Sequence, residues 1–313
     1  MKTAVTLVSV IIPTVDRPAL LQEAIASALA QTHEGIEVIV VLNGATPEAA
    51  AAAGRYAGDP KVRVVEMDRG TLAAARNYGM TFARGEWIAF LDDDDIWLPE
   101  KIEMQLDAAR ASGADLVSCD FVKFDDRGDI AGTGLPSLPH GLSYAEALML
   151  ENYLSGGSAA MARASAIRSL GGFDARLKAC EDWDMWRRMA WDSKICRVDR
   201  VLVKYRQHRT NMTRNYALMI QALAMHFSKL LEDSPARLHH MFPATKRHFF
   251  QLLRFYLAAE GVPLHANLAE RVGQLTTAFI RGAFNAADKA SFGLARATLD
   301  KMTRGRRQRD TVA

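Results

Sequence analysis

Four consecutive carboxylates, Asp92, Asp93, Asp94 and Asp95, stand directly behind an apolar run, and that juxtaposition constrains the chain more than any other feature. The run, residues 87–91 (Trp-Ile-Ala-Phe-Leu), has the length and character of a buried strand, and Pro99 sits where a helix begins. Adjacent like charges repel one another and need a counter-charge. In an extended chain side chains alternate, so Asp92 and Asp94 are expected on one side and Asp93 and Asp95 on the other. Two carboxylates converging at the carboxyl edge of a sheet suit a hard divalent cation, Mg2+ or Mn2+. Mg2+ commonly shares its shell between one or two carboxylates and substrate phosphates, so a phosphorylated ligand is expected. The competing reading is a solvated acidic loop capping the helix near Pro99. One Asp suffices for a cap, and four exceed that need.

The remaining bulk properties exclude more than they assign. A chain of 313 residues, 49% hydrophobic and 24% charged, matches a soluble globular protein of one large domain with an appendage, or of two domains. A net charge of +3 does not argue for nucleic-acid binding, and no nucleic-acid motif accompanies it. Cys119, Cys180 and Cys196 are too widely spaced for a disulfide framework or a zinc pattern, which points to a reducing cytoplasm. Lys2 and the apolar run over residues 4–12 loosely resemble a leader, but Pro13-Thr14-Val15-Asp16-Arg17 replaces the small-residue cleavage site. That run is therefore read as a first buried strand. No apolar run approaches the ~18–20 residues that span a bilayer.

Strand-like runs at 5–12, 36–42, 61–67, 87–91 and 114–124 alternate with helical patterns at 18–31, 71–83 and 99–112. Residues 125–140 read as a loop or hairpin, 158–163 as a short strand, 181–191 as a helix and 195–205 as a returning strand. Continuous apolar strands linked by helices predict an α/β fold with a mostly parallel sheet and helices on both faces. Ligands of such sheets bind beyond the carboxyl ends of the strands. Pro13-Thr14, Asn43-Gly44 and the four aspartates all fall at such ends and are expected to meet. After residue 210 the pattern becomes purely helical. A boundary is placed there, dividing the chain into residues 1–210 and a helical C-terminal extension, 211–313, with a basic tail.

Several separated motifs together resemble the family 2 glycosyltransferases, inverting enzymes of the Rossmann-like GT-A fold. They are Val8-Ser9-Val10-Ile11-Ile12-Pro13-Thr14, Ala28-Leu29-Ala30-Gln31-Thr32, Ala75-Arg76-Asn77-Tyr78-Gly79, the aspartate cluster, Gly171-Gly172-Phe173-Asp174, Glu181-Asp182-Trp183-Asp184 and Tyr205-Arg206-Gln207-His208. They occur in family order over about two thirds of the chain. The resemblance implies that Pro13, Thr14 and Asp16 lie in the loop that contacts the nucleotide. Asn43, where the family has an Asp, keeps an acceptor oxygen for a base N–H. Arg76 either contacts the diphosphate or braces the acids. Asp92 and Asp94 match the family's Asp-x-Asp motif: Asp94 is the expected metal ligand, Asp92 a ligand or ribose contact, and Asp93 a supporting residue. Asp182 takes the position of the catalytic base that removes the acceptor hydroxyl proton. Glu181 and Trp183 are assigned to the acceptor, although at i, i+3 spacing either Trp183 or Trp186 is expected in the core. His208 either ligates the metal or is an ordinary His. Lys204, Arg206, Arg209 and Arg214 form either a lid over phosphates or a solvated connector.

The activity implied is metal-dependent transfer of a sugar, UDP-linked by expectation, to a hydroxyl of a glycan or lipid-linked acceptor in polysaccharide or cell-surface glycan synthesis. The basic residues Lys301, Arg304, Arg306, Arg307 and Arg309 would favour an anionic membrane surface on the cytoplasmic side. Two other readings stand: a non-catalytic sugar-nucleotide-binding scaffold, and a sugar-phosphate nucleotidyltransferase. The second would carry a glycine-rich loop after the first strand, and Pro13-Thr14-Val15-Asp16-Arg17 has no glycine.

Overall fold

The computed structural model describes residues 5–130 and 134–259. The basic residues between 301 and 309 and the helix breaks near 261–263 and 282 lie outside the described residues. The first half alternates strand and helix: β1 (Val8–Thr14), α1 (Pro18–Leu29), β2 (Ile36–Asn43), α2 (Pro47–Gly54), β3 (Val62–Met67), α3 (Leu72–Phe82) and β4 (Trp87–Phe90). Then come β5 (Ile96–Trp97), α4 (Lys101–Ser112), β6 (Leu116–Asp125), β7 (Gly128–Ile130), α5 (Tyr144–Ala147), β8 (Met161–Arg163), α6 (Ala164–Ser169), α7 (Glu181–Met189) and β9 (Ile195–Arg206). Two longer helices, α8 (Tyr216–Asp233) and α9 (Phe242–Ala259), close the described chain.

The helix starts are written locally. Pro18 and Pro47 occupy the first turns of α1 and α2, where no N–H is missed. Thr46 and Thr71 cap α2 and α3, their hydroxyls accepting the N–H of Ala49 and Ala74. Gly113 ends α4 in a left-handed conformation.

The strands form one sheet in the order β3-β2-β1-β4-β8-β6-β9-β5, with β7 a hairpin partner of β6. From β3 to β4 every pairing is parallel, as the apolar runs predict. Beyond β4 the sheet is mixed. β8 runs antiparallel to both β4 and β6, β9 is parallel to β6, and β5 is antiparallel to β9. A strand covered on both faces is apolar throughout whichever way it runs, so its direction leaves no trace in composition.

Both faces are covered. Val8, Val10 and Ile12 of β1 join Leu21, Ile25, Ala52, Ile102 and Leu106 in one core. Ile11, Ile39, Val41, Ile88 and Phe90 join α3 and α7 in the other, and Leu223, Phe227, Leu230, Phe249 and Leu253 of α8 and α9 extend it. Ion pairs fasten α8 to α7. Arg187 and Asp184, both fully buried, pair at 2.8 Å, Arg187 also reaches Asp233 at 2.8 Å, and Lys229 reaches Asp184 at 2.7 Å. Lys229 also pairs with Asp174 at 3.1 Å. Burial pushes the Asp184 carboxyl up, but Arg187, Arg188 and Lys229 outweigh it and hold the group well below the usual range.

Among the described residues no helix is long and apolar enough to cross a membrane.

α3 lies close on β1 and β2 because residue 79 has no side chain. A Cβ there would meet Ile11 Cγ2 at 2.6 Å and Val41 Cγ2 at 3.0 Å. Gly79→Ala is expected to lose about 1–3 kcal/mol through overpacking. Its gain in helix propensity, ~1 kcal/mol, offsets only part of this, because the nearest clash is with a fully buried Ile. A lowered urea midpoint at unchanged m-value is the check.

Candidate active site

The carboxyl ends of β1, β2 and β4 are adjacent in the sheet, and the segments that leave them meet as expected. The aspartate cluster is not extended, however. The Asp95 N–H donates to the Asp92 carbonyl at 3.1 Å, closing a turn before β5. The expected alternation therefore fails, and each carboxylate finds its own surroundings. Asp93 accepts from Thr14 Oγ1 at 2.7 Å and from Arg17 at 3.1 Å. Asp94 also accepts from Arg17, and its Oδ2 lies 2.9 Å from His208 Nε2. Asp92 pairs with Arg76 at 2.7 Å, while its N–H donates to Ser158 Oγ at 3.1 Å. Asp95 is buried, its Oδ1 accepting the Arg206 N–H at 3.0 Å. Burial raises the Asp93 carboxyl to about 6, against Thr14 and Arg17, and raises Asp95 well above the ordinary value, with Asp94 and Asp92 adding to it.

Arg17, directly after the β1 loop, is thus the cation on Asp93 and Asp94, and residue type alone does not single it out. His208 is set by three contacts: Asp94 at Nε2, Thr210 Oγ1 on Nδ1 at 2.8 Å, and its own N–H donating to Asn211 Oδ1 at 2.5 Å. Arg206 is engaged within the chain. Its guanidinium donates to the Asp94 carbonyl at 2.9 Å and to Glu23 at 2.6 Å and lies over Phe124. Lys204 pairs with Asp129 at 2.9 Å, whereas Arg209 and Arg214 are exposed.

The second wall is built around Arg76, 1% exposed on α3. One arm of its guanidinium pairs with Asp92, the other with Glu181 at 2.5 Å. Burial alone would lower its pKa; Asp92 and Glu181 overcome this and hold the cation. Gly157, in a short 3-10 turn, Gly157–Ala159, makes room for it, since a Cβ there would stand 2.6 Å from Arg76 Nη2. The neighbouring Asn77 clips the Gly171-Gly172-Phe173-Asp174 turn to α3: its amide donates to the Phe173 carbonyl at 2.7 Å and accepts the Phe173 N–H at 2.9 Å.

Asp182 follows Glu181 on the first turn of α7. It is partly exposed, and its Oδ1 accepts the Trp183 N–H at 2.7 Å. Burial and the Glu181 charge raise its carboxyl to about 7, with Arg76 opposing. A carboxylate at that value can take a proton near neutrality and return it.

Three assigned residues are engaged within the chain. Trp183 is 5% exposed, its indole N–H donating to the Leu148 carbonyl at 2.7 Å and its ring 4.4 Å from that of His226. Both it and Trp186 belong to the core, so the expected acceptor contact of Trp183 is corrected. Glu181, the other residue assigned to the acceptor, is 4% exposed with one oxygen on Arg76, which makes it a brace. Asn43 does not present a free acceptor: its amide donates to the Gly70 carbonyl at 3.1 Å and accepts the Gly70 N–H at 2.7 Å, tying β2 to the loop before α3. Pro13 is buried in β1, and Asp16 is exposed beside Arg17.

These motifs meet in one family. The model of Glycosyl transferase family 2 matches residues 9–171. The chain belongs to glycosyltransferase family 2. It is 32% identical over 244 residues to an uncharacterized glycosyltransferase of Rickettsia typhi, covering 72% of each chain. A second uncharacterized glycosyltransferase, of Rickettsia conorii, is 30% identical over 207 residues, 65% of this chain and 34% of that one. The succinoglycan biosynthesis protein ExoO of Rhizobium meliloti is 39% identical over 107 residues, 33% of this chain and 30% of its own length. Among solved structures the fold resembles S. aureus TarS in complex with UDP-GlcNAc, with a TM-score of 0.67 at 17% identity over 89% of this chain and 80% of that one. It also resembles the mannosyltransferase PcManGT of Pyrobaculum calidifontis in complex with GDP-Man and Mn2+, with a TM-score of 0.61 at 19% identity over 88% and 81%. The fold class is thus that of the GT-A glycosyltransferases.

A carboxyl held above its ordinary 3.8 takes up a proton on folding. Between about pH 4 and pH 7 the folded state therefore binds more protons than the unfolded one, and this group makes stability fall as pH rises. Asp182→Asn removes that dependence. The variant's thermal midpoint is expected to exceed that of the parent at pH 8, with the two converging near pH 4.

Proposed function

We propose that this protein is a metal-dependent inverting glycosyltransferase that moves a sugar from a nucleotide diphosphate to a hydroxyl of a glycan or lipid-linked acceptor, with Asp182 as base. The observation that carries this reading is a carboxyl raised to about 7 on α7, joined through Glu181 and Arg76 to the aspartate turn at the strand ends.

Mg2+ or Mn2+ fits the donor set. Asp94 Oδ2 and His208 Nε2 are 2.9 Å apart, and among the described residues no group of three or more acidic, His or Cys side chains is arranged to hold a metal. Two protein donors leave the rest of a shell to diphosphate oxygens and water, as Mg2+ and Mn2+ prefer. Arg17 rests on Asp94 Oδ2 and the buried Arg76 on Asp92 Oδ1; Arg17 is the more exposed of the two and can withdraw, so Asp94 and His208 are the proposed ligands. Such an ion would offset charge on the departing nucleoside diphosphate.

The chain's own groups do the rest. Asp182 accepts the acceptor hydroxyl proton as that oxygen bonds to the anomeric carbon. The bond from that carbon to the diphosphate breaks, and the diphosphate leaves with the electron pair. Arg17, already on Asp93 and Asp94, is the side chain nearest at hand to turn toward the diphosphate. Arg76 keeps the acids of both walls at fixed separation. Thr14, Asp16 and Pro13 are proposed to border the nucleotide, and a UDP-sugar is the first donor to test. The relative named for succinoglycan biosynthesis supports an acceptor in polysaccharide or surface-glycan synthesis. Residues 1–210 would form the catalytic unit at the cytoplasmic side, with the helices after them as its support.

Thermal shift with UDP and GDP sugars, with and without Mn2+, tests the reading, since a bound ligand raises apparent stability by mass action. Asp94→Ala is expected to abolish the Mn2+-dependent part of the shift. Asp182→Asn is expected to keep the shift yet lose transfer by roughly 10²–10⁴-fold; full transfer by this variant would refute the base.

A further inference from the structure

Gly156 has no conformational reason to be glycine. Its backbone lies at φ −66° and ψ −179°, extended geometry open to any residue. Nor does packing demand it. A Cβ built at Gly156 meets a single atom within 4 Å, Asp182 Oδ2, at 3.6 Å. Its neighbour Gly157 differs, because there Arg76 fills the space. Asp182 Oδ1 is taken by the Trp183 N–H, so Oδ2 is the oxygen that faces the gap.

The segment carrying Gly156 is pinned. Ser155 holds a left-handed φ of 66°, a conformation a non-glycine residue keeps only where its surroundings impose it. The Asn152 amide donates to the Ser155 carbonyl at 3.0 Å, and Ser118 Oγ donates to the Leu154 carbonyl at 2.6 Å. On the other side the Ala159 N–H donates to the Gly156 carbonyl at 3.3 Å, and Ser158 Oγ accepts from Asp92. The turn therefore stands as a fixed wall between the aspartate cluster and α7.

We propose that the space left by the missing side chain of Gly156 is the port through which the acceptor hydroxyl reaches Asp182 Oδ2. The inference rests on the reading of Asp182 as base, and it makes Gly156 a specificity-determining residue. A hydroxyl donating to Oδ2 places its oxygen about 2.7 Å away, and its carbon stands just beyond. A methyl at 3.6 Å competes for that volume, and a branched side chain closes it. The ligand class is an alcohol carried on a ring or chain carbon, approaching from the Gly156 side.

The test uses the full chain and does not depend on knowing the sugar. Parent, Gly156→Ala and Gly156→Val are treated with a water-soluble carbodiimide and glycinamide at pH 6, and labelled carboxyls are mapped by peptide mass spectrometry. Asp182 is expected to label in the parent, at least fivefold more slowly in Gly156→Ala, and more slowly still in Gly156→Val. Labelling of the exposed Asp16 is expected to be equal in all three. The melting temperature of Gly156→Ala is expected to be unchanged or raised, since alanine at this geometry restricts the unfolded chain. Equal Asp182 labelling in all three proteins, an Asp182 that resists label in the parent, or a marked fall in melting temperature for Gly156→Ala would each overturn the port. Loss of the port with an inactive Asp182→Asn leaves the base in place. A fully active Asp182→Asn removes the base whatever the labelling.

Discussion

The buried guanidinium of Arg76 is the interaction on which the site depends. Taking an arginine out of water costs several kcal/mol unless its charge is matched and its donors are used. Here the match comes from two elements far apart in sequence, Asp92 after β4 and Glu181 at the head of α7. Each carboxylate would be costly so close to its acidic neighbours without that cation. The cation in turn fits only because residue 157 is glycine. Arg76 thus fixes the distance between two acidic walls that would otherwise repel.

The same accounting explains why the carboxylates differ in proton affinity although they are chemically alike. Asp93 sits under Thr14 and Arg17 yet is raised to about 6, so burial outweighs its partners. Asp182 is raised to about 7 by burial and the Glu181 charge, against Arg76, whose hydrogen bonds go to Asp92 and Glu181. Asp174 goes the other way. The Arg176 side chain leads a set of donors, Lys229 among them, that holds it well below the carboxylate range. Partner geometry, more than residue type, separates a group that can exchange a proton from one that stays charged.

Much of this was legible in the residues. Continuous apolar runs located the strands, helical patterns located α1, α3 and α4, and the strand-end rule placed Thr14 beside the aspartates. What failed were inferences needing side-chain direction. Alternation misplaced the aspartates because the Asp92 carbonyl captures the Asp95 N–H and turns the chain. Spacing on α7 left Trp183 ambiguous until Leu148 and His226 appeared beside it. Asn43 kept an acceptor atom in composition but surrendered it to the Gly70 backbone. Arg17 went unassigned because an arginine next to a strand end is common, and only its two contacts distinguish it.

Lys229 joins Asp174 of the glycine-rich turn to Asp184 of α7, while Arg187 reaches across to Asp233 at the end of α8. Three segments are thereby cross-braced in the low-dielectric interior, where breaking any strut exposes its partner's charge. The opposite side of the cleft is held by Arg17 and His208, whose side chains are 29% and 21% exposed, and by a surface threonine. Stiffness is therefore unevenly shared: Asp182 rides on an anvil, and adjustment falls to the hammer side, where water can replace each contact as it opens.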